Sequence, residues 1–128
     1  MVRREAILLL RHNISPDVAD LWTVFAQQYD GKDRWYLEAL GIGADKQWDK
    51  ILTAWLAKVG ENIYTPAARD IIWRSRSNAK TPGLLVKLIQ AKDTDEAQKA
   101  RYTRSFDFVS GPEKDAALLK VLTGPATN

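Results

Sequence analysis

Apolar residues in this chain recur at three- and four-residue spacing, and short breaks rich in Gly, Pro, Asp and Thr separate one run from the next. That spacing predicts amphipathic helices, and no segment alternates residue by residue as a strand would. The first helix is expected over Val2–His12, where a polar turn leads into apolar residues on all sides, as in a helix buried on more than one face. Ser15-Pro16-Asp17 supplies a capping hydroxyl, a proline at the first helical position and an acid in the first turn. It predicts a helix over Pro16–Gln28 with Val18, Leu21, Trp22 and Phe25 on one face. The third helix, Asp33–Leu40, is charged at its start and apolar through Trp35, Leu37, Ala39 and Leu40, with Gly41-Ile42-Gly43 as its stop. A helix this short is marginal on its own in water, so it is expected to be buried between neighbours.

The same grammar continues. Asp45 is expected to cap a fourth helix with the stripe Trp48, Ile51, Leu52, Trp55, Leu56 and Val59, ended by Gly60. Thr65-Pro66 opens a fifth with Ile71, Ile72 and Trp73. Thr81-Pro82 opens a sixth with Leu84, Leu85, Leu88 and Ile89. The acidic run Asp93–Glu96 opens a seventh through Ala97, Ala100, Tyr102 and Phe106. Gly111-Pro112-Glu113 opens an eighth with Leu118, Leu119 and Leu122, and Gly124-Pro125 closes it. Prolines at first turns and glycines at boundaries agree with the apolar pattern, as in a well-specified fold.

The starts of alternate helices share a chemistry. Arg4, Arg34, Arg69 and Arg101 follow one another at steps of 30, 35 and 32 residues. Aligning Arg4-Glu5 on Arg69-Asp70 sets Ile7 on Ile72 and Leu8 on Trp73. One amphipathic helix lies between each pair. This is the pattern of a helical solenoid, in which each unit buries one face on the previous unit and one on the next. The expected fold is all-α, a right-handed α-α superhelix of HEAT or armadillo type with about eight helices. It is expected to occupy residues 1–128 as a single domain.

Composition narrows the function. A chain of 128 residues, 45% hydrophobic and 27% charged, affords one ordinary globular core. It has no cysteine and one histidine, His12, which excludes disulfides, thiolate metal sites and multi-His metal sites. No apolar run is long enough to span a membrane, and the start is too short and too soon charged for a secretion signal. No phosphate loop, nucleophile elbow or paired-His motif is present, so no catalytic residue, cofactor or metal is assigned and the segment reads as non-enzymatic. His12 at a helix end reads as a partner of the helix dipole, and Asp17 and Asp20 fall on a solvated face. The net charge of +3 is small and its signs are interleaved.

The Val2-Arg3-Arg4-Glu5-Ala6 start resembles that of the second helix of HEAT-like repeats, although the period here is shorter. The stretches RWYLEALGIGAD, RDIIWRSRS and RYTRSFDFVSG, beginning at Arg34, Arg69 and Arg101, resemble the helical region of large exported proteins of planctomycete-type bacteria. Those proteins join a sugar-dehydrogenase-like propeller and HEAT-like repeats to a haem-binding Cys-x-x-Cys-His module. The resemblance implies a scaffold segment of a longer, exported or periplasmic protein, with that protein's other domains as partners. It carries no haem or dehydrogenase residue onto this chain, which lacks the motifs.

The candidate interaction surface is Arg4, Arg34, Arg69, Trp73, Arg74, Arg76 and Arg101. In a solenoid the repeating arginines would form a ladder facing an anionic partner. The alternative is that each is spent on a neighbouring acid such as Glu5, Asp33 or Asp70, or on loop carbonyls. Arg69, Arg74, Arg76 and Lys80 around Trp73 form the densest basic stretch, which opens a second reading: a HEAT-like module binding nucleic acid. HEAT-type DNA-repair glycosylases add a carboxylate in an aromatic pocket, for which Asp107, between Phe106 and Phe108, is the local candidate. Trp22, Trp48 and Trp55 are expected in the core, while Trp35, beside Arg34 at a helix start, could be core or surface. Ile7–Leu10 and Leu118–Leu122 are more apolar than one buried face needs. The chain is therefore expected to be a fragment that self-associates through its terminal helices.

Overall fold

A computed structural model describes residues 2–12, 15–75, 80–108 and 112–123. It is all-helical: among the described residues there are eight α-helices and no strand. The chain divides into two compact units, residues 1–75 and 76–128.

The first unit holds α1 (Val2–Leu9), α2 (Val18–Gln27), α3 (Arg34–Gly43), α4 (Trp48–Val59) and α5 (Pro66–Arg74), with a 3₁₀ turn, Leu10–His12, after α1. Next-but-one helices pack on one another: α1 on α3, α3 on α5, and α2 on α4. Two side-chain hydrogen bonds fix α2 against α3. Trp22 Nε1 donates to the Leu40 carbonyl at 2.9 Å, and the Tyr36 hydroxyl donates to the Phe25 carbonyl at 2.6 Å. The middle of α2 thus meets the end of α3, and the end of α2 meets its start, so the two run antiparallel. By contrast α3 and α5 run parallel: Gly31, just before α3, touches Pro66 and Ala67, and Gly41, near its end, faces Arg74.

The apolar stripes of α2 and α4 bury in part as expected: Leu21, predicted on the buried face of α2, is exposed, and Phe25, Leu56 and Val59 are half-buried. Trp22, Trp48, Trp55, Leu52 and Ile51 are all buried, with Trp22 and Trp48 edge to face at 5.5 Å. Full burial of one such side chain contributes about 1.5–3 kcal/mol, enough in sum to hold helices that could not stand alone. Caps set several starts. The Asp33 carboxylate accepts from Trp35 and Tyr36 N–H, Thr65 Oγ1 from Ala68 N–H, and the Asp95 carboxylate from Gln98 N–H. Gly60, at φ +59°, ends α4.

Several local expectations are corrected. Gly41-Ile42-Gly43 does not stop α3; it forms its last turn, with both glycines buried. The reason is close approach. A Cβ at Gly43 would lie 2.4 Å from the Ile7 carbonyl oxygen, and one at Gly41 would lie 2.4–2.7 Å from the Arg74 guanidinium. Asp45 caps nothing. Gln47 precedes α4, and Asp45 instead pairs with Arg11 at 3.4 Å. The second helix begins at Val18 rather than Pro16, because Ser15 Oγ spends itself on the Asp17 N–H in a tight turn.

The second unit holds α6 (Thr81–Gln90), α7 (Glu96–Ser105) and α8 (Pro112–Thr123), with a 3₁₀ turn, Phe106–Phe108, after α7. Helix α6 packs on both α7 and α8. Leu84, Leu85 and Leu88 bury as expected, together with Tyr102 and Phe106. Thr94 Oγ1 donates to the Leu88 carbonyl at 2.6 Å and ties the α6–α7 turn to the end of α6. Two stripes differ from expectation. Ala97 and Ala100 of α7 are exposed, and in α8 Ala117 is buried, Leu118 half-buried and Leu119 60% exposed, while the Leu122 side chain lies outside the described residues.

Candidate interaction surface

The repeating arginines do not form one exposed row. Arg34 is exposed at the first position of α3. Arg69 is only 4% exposed: its Nε donates to the Tyr64 carbonyl at 2.8 Å, and its guanidinium lies 5.8 Å from the Tyr64 ring centroid. A buried guanidinium needs such partners, and a loop carbonyl together with an aromatic face supplies them. The neighbouring Asp70 accepts from the Tyr29 hydroxyl at 2.8 Å, and Tyr29 stacks on Tyr36. Arg101 is half-buried in the second unit. The Arg4 side chain and all of Arg76 lie outside the described residues.

Of the basic stretch, Arg74 is likewise engaged inside the first unit, while Lys80 is exposed in the second. Arg74 crosses the bare backbone of Gly41 and pairs with Glu38 at 3.4 Å. Trp73 is half-buried. Of the described cations between Arg69 and Arg74, neither stands free toward solvent. Asp107 is exposed rather than enclosed by aromatics, and His12, Asp17 and Asp20 are exposed as well. Among the described residues no cluster of His, Cys, Asp and Glu could hold a metal, and no helix is long and apolar enough to cross a membrane.

What stands out instead is the turn that starts α3. Trp35 is 73% exposed, unlike the tryptophans of α2 and α4. Lys32 and Arg34 beside it are exposed too. The acids of this turn are exposed too, and each accepts backbone N–H groups through one carboxylate oxygen. Asp30 Oδ1 accepts from the N–H groups of Lys32 and Asp33 at 2.8 and 3.0 Å, and Asp33 Oδ1 accepts from those of Trp35 and Tyr36 at 3.0 and 3.2 Å. The Asp33 and Lys32 N–H groups, with a smaller Coulombic contribution from Lys32, hold the Asp30 carboxyl below the usual aspartate range. Two turns further along the same side of α3, Ile42 is exposed; on α1, Leu9 is 70% exposed. Sequence reasoning included Arg34 but not Trp35. Its signal was a large aromatic immediately after a capping acid, a position on the first turn that needs no core contact.

These features define an all-α protein. No protein-family model, no curated protein and no solved structure matches the chain.

Proposed function

We propose that this chain is a non-catalytic helical scaffold, laid out as a HEAT-like α-α repeat, that spaces or docks the other domains of a longer protein. The observation that carries the reading is the packing of next-but-one helices, α1–α3–α5 in one row and α2–α4 in another. That is the stacking rule of repeat proteins, in which each element contacts its sequence neighbours and the same element of the next repeat. The right-handed superhelix belongs to the same proposal. So does the parent protein, exported and carrying propeller and haem modules, which rests on the resemblance alone. The alternative, nucleic-acid binding through Arg69–Lys80, is disfavoured because Arg69 and Arg74 already serve the unit's own carbonyl, ring and carboxylate.

The test is chemical cross-linking of the chain joined to its native neighbours, with peptide mapping. Cross-links from exposed Lys32, Lys46, Lys50 and Lys58 to flanking domains are expected, and their complete absence refutes the docking role. In parallel, binding to labelled DNA and RNA should be no tighter than about 100 μM at physiological salt, the weak end of non-specific affinity. Sub-micromolar binding that weakens steeply with salt would reverse the ranking.

A further inference from the structure

Helix α3 leaves one strip of its surface open: Trp35, Glu38 and Ile42 at helical spacing, with Lys32 in the turn that leads into it. We propose that this strip is a contact between two copies of the chain, with α3 lying antiparallel against α3 across a twofold axis at Trp35. The proposal stands apart from the scaffold reading, which holds or fails on the cross-links to flanking domains.

Charge selects the occupant. The exposed Lys32 and Arg34 are matched in number by the exposed Asp30 and Asp33, and Glu38 is paired with Arg74. The face is neutral as a whole, so it attracts neither a polyanion nor a strongly charged peptide. Its charges are nonetheless ordered about the tryptophan. Lys32 stands three residues before Trp35, and Glu38 three residues after it. In helical register these positions lie about 4.5 Å to either side of Trp35 along the helix and on opposite flanks. A twofold axis through Trp35, perpendicular to α3, exchanges them. It therefore sets Lys32 of one copy against Glu38 of the other, and the reverse pair forms at the same time, as in any isologous contact. Lys32 precedes the first turn of α3 rather than lying on it, and its flexible four-carbon stem supplies the reach.

Both groups have capacity left. Lys32 makes no ion pair with any described residue, and Glu38 meets Arg74 through Oε2 at 3.4 Å, with Oε1 unengaged. In the pair of copies each Glu38 then lies between Arg74 of its own chain and Lys32 of the other. At the axis the two Trp35 side chains meet. Each is 73% exposed, and aromatic pairs gain from offset or edge-to-face packing beyond the area they bury. Ile42, about 10 Å along the same side, extends the apolar contact. The strip covers less than the roughly 800 Å² per partner of a standard interface, so the dimer belongs to the weak, reversible class.

The test is sedimentation equilibrium of the whole chain up to about 1 mM, the range of weak affinities. A reversible dimer is expected, and association should weaken at least about tenfold for Trp35→Ala, the loss expected of a central interface residue. Lys32→Glu, which sets like charges opposite each other, should weaken it as well. Both side chains are exposed, so thermal unfolding of the variants should match that of the parent chain, which separates lost pairing from lost folding. The exposed Leu9 and Leu119 offer a separate contact, and the dimer should persist in a Leu9→Ser, Leu119→Ser chain. The register is read by carbodiimide coupling of mixed ¹⁴N- and ¹⁵N-labelled chains, where a Lys32–Glu38 link between a light and a heavy peptide is expected. A chain monomeric throughout, association that ignores Trp35→Ala and Lys32→Glu, loss of the dimer in the Leu9→Ser, Leu119→Ser chain, or absence of the mixed Lys32–Glu38 link would each overturn the proposal.

Discussion

Replacing Gly43 by alanine should destabilise the first unit, against the usual trend for a glycine in a helix. Alanine in a helix interior is favoured over glycine by about 1 kcal/mol, and less at a last turn. Against this, the new Cβ would sit 2.4 Å from the Ile7 carbonyl oxygen and 3.2 Å from the Ile7 Cγ2. Relief needs α1 and α3 to separate by roughly 0.6 Å, and packed backbones cannot yield as a flexible side chain can. Overpacking of this kind costs about 1–3 kcal/mol, so the net loss should be about 1–2 kcal/mol, or roughly 5–10 °C in melting temperature for a unit of this size. Gly83→Ala is the control. No atom lies within 4 Å of that Cβ, and the variant should gain up to about 1 kcal/mol. All five tryptophans lie in residues 1–75, so urea unfolding read by tryptophan fluorescence follows the first unit, while far-UV circular dichroism follows helix in both. A Gly43→Ala chain as stable as the parent, or more so, would refute the close approach of α1 to α3.

Three further outcomes are expected. Trp55→Ala, which empties a wholly buried site, should lower stability by about 3–5 kcal/mol in denaturant titration, and a near-native midpoint would show that α4 does not bury its stripe. Because the folded-state pKa of Asp30 is depressed, its contribution is fully present above the unfolded-state pKa and is lost as pH falls through the lowered value. Asp30→Asn should therefore flatten the acid limb of a stability-against-pH curve, and an unchanged limb would show that the turn does not depend on the carboxylate. Light scattering should show concentration-dependent self-association through the exposed Leu8 and Leu9 of α1 and Leu119 of α8, and a strictly monomeric chain at high concentration would exclude it.

The helical class was legible because two independent signals agreed. Trp22, Trp48, Trp55, Leu52 and Leu88 sit at helical spacing and are buried, while Asp33, Thr65 and Asp95 sit where a cap is needed and provide one. What misled were residues whose local meaning is ambiguous. Glycine marks both the end of a helix and a place where two helices touch, and only contact with Ile7 and Arg74, more than thirty residues away in each direction, decides between the two at positions 41 and 43. Asp45 has a capping residue's chemistry, yet Arg11 claims it across the unit. For the surface, a repeating arginine pattern could not distinguish a cation facing water from one enclosed by its own loop. Arg34 and Arg69 occupy the same repeat position with opposite exposure, because only Arg69 has a carbonyl and a ring at Tyr64 to receive it. The tryptophan beside Arg34 shows the converse, a large apolar residue at a helix start that the packing never reaches.

The arginine strap across Gly41 has a consequence for how this sequence can change. With Arg74 in place, any side chain at position 41 displaces the guanidinium from Glu38, so a substitution there is penalised through a residue thirty-three positions away. Once residue 74 is shortened, the guanidinium contacts at 2.4–2.7 Å are gone and the helix preference for alanine over glycine can show. That order passes through a chain in which a bare glycine weakens α3 and Glu38 has lost its cation, whereas the reverse order passes through one in which the new side chain meets the guanidinium. The two positions therefore admit change along one route more readily than the other. A double-mutant cycle of Gly41→Ala with Arg74→Ala would register this as a non-additive gain. In this fold the history of a substitution matters as much as its identity.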